Sequence, residues 1–239
     1  MAELEKIYEP ETVRIFTKVL TPGDAVIIAG AHQGYFARIC ADLVGTRGRV
    51  FAFEPEPENF KMLSEKVGHL PQVVLHNFAL ADKEIEKAAF FLNKDNDGGH
   101  ALWDVSKNPG NTKTQEKTEV VQTQIRTLDG LFPDGIERLK LLMLDAEGSE
   151  HAIIRGGINT IADAEVPYII CEINNFALEQ SQTSQMSLRS YLSMYGYAPY
   201  VMNENEVIPA MEGEVVKAFI PDTEQEVVFN ILFSRRGRV

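Results

Sequence analysis

The sequence predicts an α/β protein: a doubly wound, mostly parallel sheet with an antiparallel edge. Three observations lead there. Short runs such as Ala25-Val26-Ile27-Ile28-Ala29 are apolar without alternation, as strands covered on both faces are. They alternate with stretches of helical apolar spacing, the order of a parallel strand–helix–strand array. Two late apolar segments, residues 198–202 and 227–233, follow a helix expected at 188–195 and can close the sheet as an antiparallel hairpin.

In chain order, residues 4–20 carry apolar side chains at helical spacing (Ile7, Val13, Ile15, Phe16, Val19) and stop at Thr21-Pro22-Gly23-Asp24. A leading helix within residues 1–21 is expected. Strand 25–29 runs into a helix over 35–44, and strand 50–53 follows the turn between Gly45 and Gly48. The alternation continues with a helix at 58–67, strands at 73–76 and 141–144, a further helix, and a strand at 168–171. Residues 93–118 break the pattern. They are rich in Asn, Asp, Gly and Lys and have no apolar period, yet 88–92 and 120–125 flank them like paired strands. A loop of that length is functional or disordered, and we expect an insertion able to act as a lid. Without internal repeats or a compositional break, residues 1–239 are expected to form a single domain.

With 44% hydrophobic and 24% charged residues, the composition excludes a disordered, collagen-like or disulfide-stapled chain. The formal net charge of −12 argues against nucleic acid and anionic membranes as partners. Cys40 and Cys171 lie far apart in apolar stretches and read as reduced packing residues. The N-terminus has no basic start or apolar run of a secretory signal, and no span approaches the ~20 apolar residues of a membrane helix, so the expected location is the cytoplasm. Nothing in the sequence sets the oligomeric state.

The strand at 25–29 leads through Gly30-Ala31-His32-Gln33-Gly34 into the helix that begins at Tyr35. Glycines let such a turn tighten and let a ligand approach the backbone, and the helix start favours an anionic group. The next strand ends in Phe53-Glu54-Pro55, a carboxylate 24 positions beyond Gly30, close to the ~20-residue spacing of a ribose-binding acid. The two glycines do not complete the Gly-x-Gly-x-x-Gly fingerprint, which argues against a nicotinamide-dependent oxidoreductase. Asp145 and Glu172 end strands and should project from the carboxyl edge of the sheet, where open α/β folds bind ligands. Glu150 reads as a helix-start acid complementing the dipole, whereas Glu147 is open between that role and catalysis. The histidines are dispersed without zinc spacing, and no Ser or Cys nucleophile motif is present.

Taken together, Gly30-Ala31-His32-Gln33-Gly34-Tyr35-Phe36, Phe53-Glu54-Pro55-Glu56-Pro57-Glu58-Asn59-Phe60, Asn77-Phe78-Ala79-Leu80 and Leu144-Asp145-Ala146-Glu147-Gly148-Ser149-Glu150, in that order, resemble the FkbM-type methyltransferases. The resemblance extends to Arg126-Thr127-Leu128-Asp129 and Glu172-Ile173-Asn174 and spans roughly residues 22–197. It implies a class I, Rossmann-like fold that binds S-adenosyl-L-methionine and methylates a small-molecule acceptor, most often a sugar or secondary-metabolite hydroxyl. N-methylation, or a non-catalytic binding protein on the same fold, are the alternatives. The resemblance also puts the methionine part of the cofactor at Gly30, Ala31 and Gly34, the ribose at Glu54, and the adenine near Pro55, Asn77 and Phe78, with Tyr35 and Asn59 beside them. Asp145, Glu147 and Glu172 are the catalytic candidates, Asp145 also counting among the cofactor-binding residues, and His100, Trp103 and Asn174 are the acceptor-side ones. Trp103 could close over an acceptor or anchor its loop. No metal is expected, although Asp145, Glu172 and Asn174 have oxygen chemistry suited to magnesium. Two departures stand out: Ile28 replaces the family's usual acidic residue, where a contact to the cofactor's amino end is expected to be lost, and Met143 replaces its usual lysine.

Overall fold

The computed structural model describes residues 8–203, 206–210, 213–219 and 226–235. The leading helix is α1, Pro10–Val19, started by a proline at its first turn, and residues 4–7 of the expected helix lie outside the described residues. Then come β1 Ala25–Ala29, α2 Tyr35–Val44, β2 Arg49–Phe53, α3 Pro57–Val67, β3 Val73–His76, β4 Ala79–Leu80 and β5 Ile85–Leu92. A 3-10 turn at Val105–Lys107 and α4 Thr112–Glu116 precede β6 Glu119–Arg126, α5 Leu128–Leu131 and β7 Leu139–Leu144. The chain continues through α6 Glu150–Gly156, α7 Ile158–Asp163, β8 Tyr168–Ile173, α8 Asn175–Gln180, α9 Gln185–Met194, β9 Tyr197–Met202 and β10 Val207–Pro209. It closes with β11 Ala218–Phe219, β12 Glu226–Val227 and β13 Phe229–Arg235.

The main sheet has the order β10-β9-β13-β8-β7-β1-β2-β3. Strands β3, β2, β1, β7 and β8 run parallel, and β13 lies antiparallel to both β8 and β9, so the expected antiparallel edge is present. The last strand starts at Phe229 rather than 227, after a break at Val228. Along β1 the side chains alternate between two cores. Ile27 and Ala29 join Leu142, Leu128, Ile153 and Leu188 on one face, and Val26 and Ile28 join Phe16, Phe36, Cys40 and Leu63 on the other. Both faces are roofed by helices, which is why β1 has no polar residue to alternate. The free thiols of Cys40 and Cys171 are both buried. Among the described residues no helix is long and apolar enough to cross a membrane.

Two expectations change. The flanking strands pair as foreseen, from Ala88 opposite Thr123 to Leu92 opposite Glu119, but they form with β4 a second, three-stranded sheet. The insertion between them is folded rather than a bare loop, because side chains do the work of missing backbone pairs. Asn93 Oδ1 accepts from Asp95 N and Asn96 N, and the Asp95 carboxylate accepts from Lys113 N, Thr114 N and Thr114 Oγ1.

Candidate active site

The carboxyl ends of the parallel strands open on a cavity of about 480 Å³. Gly30 N and Ala31 N both donate to Phe53 O at 3.0 and 2.9 Å, and Asp145 N donates to Ala29 O at 3.0 Å, so the tips of β1, β2 and β7 are locked together. The turn then passes through left-handed backbone at His32 (φ 47°) and Gly34 (φ 85°), where α2 begins. Glu54, just past β2, is buried, with Oε2 accepting from His32 N at 2.8 Å and Oε1 from Glu56 N at 2.9 Å. A carboxylate offers about four acceptor sites, so two remain for hydroxyl donors of a ligand. Burial outweighs these hydrogen bonds and raises the Glu54 pKa to about 7.

Asp145 and Glu172 end the adjoining strands β7 and β8 and are hydrogen-bonded to each other. Burial lifts both above the ordinary carboxylate range. Glu172 Oε2 is nevertheless buried without a partner. Glu147 sits in left-handed backbone (φ 46°) on the turn after β7 and accepts from Asn174 Nδ2 at 2.9 Å. Burial, helped by the charges of Asp145 and Glu150, pushes it up to about 8. Glu150 folds back so that Oε1 accepts from Ala146 N and Gly148 N at 2.8 and 3.2 Å, pinning the same turn, while its Oε2 lacks a partner. It braces the turn from the core and is pushed up to about 7 by burial. The orphaned Glu172 Oε2 and the open acceptor sites of Glu54, both on the cavity wall, call for a ligand bearing positive charge and N–H or O–H donors. S-adenosylmethionine, with a sulfonium, an ammonium and two ribose hydroxyls, has that chemistry.

The cavity brings together Gly30, Ala31, Tyr35, Glu54, Pro55, Asn59, Phe78, His100, Asp145, Glu147 and Glu172. Four expected residues stand behind its wall. Gly34 packs beneath α3, where a Cβ would lie 2.8 Å from Leu63 Cδ1. Asn77 Nδ2 donates to Glu54 O and Pro55 O at 2.8 and 3.3 Å and so braces the tip of β2. Trp103 is an anchor: Nε1 donates to Glu147 O at 2.8 Å and the ring meets Phe176 edge-on at 5.7 Å. Asn174 caps α8, with Oδ1 accepting from Ala177 N at 3.1 Å, while its amide donates to Glu147. Among the described residues no three His, Cys, Asp or Glu side chains are grouped to hold a metal. Asn174 lines a second cavity of about 390 Å³ with Phe176, Glu179 and Gln185, so the Glu147–Asn174 hydrogen bond is the wall shared by the two cavities.

His100 Nδ1 accepts from Asn93 N at 2.8 Å, and burial lowers its pKa, so a neutral ring with its proton on Nε2 faces the cavity. Asn59 Nδ2 and Gln33 Nε2 both donate to Asp97, at its backbone oxygen and its carboxylate, which ties the insertion to the rim. Ile28 is buried in the α1–α2 core beside its register partner Met143, so position 28 faces away from the cavity, and the expected loss of a cofactor contact there does not follow. Sequence reasoning missed Tyr8, His32 and Lys66, which also line the cavity. Only the helix-start signal at Pro10 marks the neighbourhood of Tyr8.

Sheet order, the glycine turn after β1 and the acid after β2 are those of the class I methyltransferase fold. The chain belongs to the family described as "Methyltransferase FkbM domain", whose model matches residues 29–199, and its cofactor is S-adenosylmethionine. It is 24% identical over 181 residues to "2-O-methyltransferase NoeI" of Sinorhizobium fredii, covering 72% of this chain and 71% of that one. It is 25% identical over 170 residues to "Hexuronic acid methyltransferase AglP" of Haloferax volcanii, covering 70% of this chain and 62% of that protein. Among solved structures it resembles SMU.1697c, a methyltransferase-type protein of Streptococcus mutans in complex with SAH. The TM-score is 0.50 at 10% identity, over 95% of this chain and 98% of that one, a likeness of fold.

Proposed function

We propose that this chain, working as a single domain, transfers a methyl group from S-adenosylmethionine to a hydroxyl oxygen of a small sugar-like acceptor. The observation that carries the reading is Glu147, a half-buried carboxyl lining the cofactor-sized cavity and held by Asn174 of the second one. The relatives named for 2-O-methylation and for hexuronic acid support a sugar-like acceptor. The net charge of −12 and the acid-lined cavity disfavour a polyanion such as RNA. A cytoplasmic setting suits the two free thiols.

Glu54 receives the ribose hydroxyls, the backbone at Gly30 and Ala31 admits the methionine portion, and Tyr35, Pro55, Asn59 and Phe78 complete the walls. Asp145 and Glu172 balance the positive charge. Bound, the cofactor supplies an electrophilic methyl group on a charged sulfur. Asn174 orients Glu147, which accepts the acceptor's hydroxyl proton as the oxygen gains the methyl. His100, on the same cavity wall, faces the remainder of the acceptor.

Labelled methyl transfer to a pool of hexoses, hexuronic acids and short oligosaccharides tests the reading, with carbon NMR of the product reporting whether the methyl sits on oxygen or nitrogen. An N-methyl product overturns the oxygen assignment. For the base, Glu147→Gln should lower kcat by about 10²-fold with cofactor affinity kept, and should abolish the rise of kcat with pH towards 8. An unchanged pH profile would remove Glu147 from that role.

A further inference from the structure

Tyr8, the residue two before α1, lines the cavity although it is 61% exposed. Its ring stands edge-on to Tyr35, centroids 5.8 Å apart at 87°, and lies 6.0 Å from Phe36. The phenol is hydrogen-bonded to Glu9 and sits in the field of Asp145 and Glu172. The elbow that carries it is fastened. Glu9 adopts left-handed backbone (φ 44°), and its Oε2 accepts from Thr12 Oγ1 at 3.0 Å and Asn230 Nδ2 at 2.6 Å. Asn230 on β13 is the cross-strand partner of Glu172, so the elbow is tied to the strand beside the one that presents the acid.

Two exposed aromatic rings set at a right angle, with a carboxyl pair close by, form a corner suited to a soft, poorly hydrated cation. Ring faces attract such a charge through their quadrupoles, and the acids balance it. Neutral, hydrogen-bonding ligands gain little from either. We propose that Tyr8 is a cofactor-binding residue that covers the sulfonium end of S-adenosylmethionine and favours the charged methyl donor over its neutral demethylated product. The inference rests on the cofactor occupying this cavity. It also gives the release of product a physical cause, since transfer of the methyl removes the charge that the corner holds.

Titration calorimetry of the whole protein with S-adenosylmethionine and, separately, S-adenosylhomocysteine tests this without any acceptor. Both ligands carry the same ammonium and carboxylate, so the ratio of their dissociation constants isolates the sulfur charge. Tyr8→Phe keeps the quadrupole and Tyr8→Leu keeps apolar bulk without it. The expected result is that Tyr8→Phe leaves the ratio within about twofold of the parent, whereas Tyr8→Leu weakens the donor by roughly tenfold more than the product. Equal losses for both ligands, or no loss for either in Tyr8→Leu, overturn the proposal. A parent protein that binds neither ligand would instead refute the assignment of the cofactor to this cavity.

Discussion

At Gly30 the backbone turns through φ +78° directly against β7, where a Cβ would lie 1.7 Å from the Asp145 carbonyl oxygen. Gly30→Ala therefore forces the β1 and β7 tips apart. Left-handed strain and overpacking together should cost about 2–5 kcal/mol, visible as a fall in the unfolding midpoint of ~2–4 °C per kcal/mol, and cofactor binding should be lost. A midpoint unchanged by the substitution would contradict that packing. The buried carboxyls make a second, pH-dependent statement. Glu54 and Glu150 are held at about 7 and Glu147 at about 8, above the ~4.3 of an unfolded glutamate. The folded chain thus binds protons that the unfolded chain has released. Their contribution to stability is complete below pH ~4 and is lost as pH rises through 7 to 8. The ligand-free midpoint should fall between pH 5 and 8, and binding the cationic cofactor near pH 7 should release protons. Calorimetry in buffers of different ionisation enthalpy measures that release, and a buffer-independent enthalpy would argue against the raised values.

Between elements, the β1–β7 register explains the two departures from the family pattern together. Ile28 and Met143 are cross-strand partners and both are buried in the α1–α2 core. An acid at one position and a lysine at the other would face each other as an ion pair, whereas here an apolar pair fills the same space. Ile28→Asp alone should cost about 3–5 kcal/mol as an unpaired buried charge, and adding Met143→Lys should recover part of it. A double-mutant cycle of unfolding free energies reads that coupling, and strict additivity would contradict contact between the two positions. The insertion shows the complementary case. Its lack of apolar period was visible in the sequence, but the hydrogen bonds from Lys113 and Thr114 to Asp95 and Asn93 that close it join residues some 20 positions apart, beyond the reach of any local pattern.

Across the whole molecule, the sheet order places the ends of β1, β2, β7 and β8 at one edge, so acids distant in the chain share one cavity. A ligand selective for that edge stabilises the entire fold. At ~100 times its dissociation constant S-adenosylmethionine should add about 2.7 kcal/mol, or roughly 5–11 °C for a chain of this size. NAD should add nothing. Absence of any shift at millimolar S-adenosylmethionine would contradict binding to the folded state.

The strands, the glycine turn, the acid after β2 and the Asp145–Glu150 segment were legible in the sequence because each rests on neighbours in the chain: apolar runs, helical periodicity, a turn that only glycine permits. Glu54 and Asp145 could be placed at strand tips for the same reason. Their company could not. That Asn174 holds Glu147, that Trp103 anchors the turn after β7, that Asn77 and Gly34 stand behind the wall, and that Tyr8 joins the cavity were decided by packing. Such contacts join residues tens to hundreds of positions apart and leave no periodic trace. The raised pKa values are tertiary for the same reason, since desolvation depends on what the fold lays over a carboxyl rather than on what precedes it in the chain.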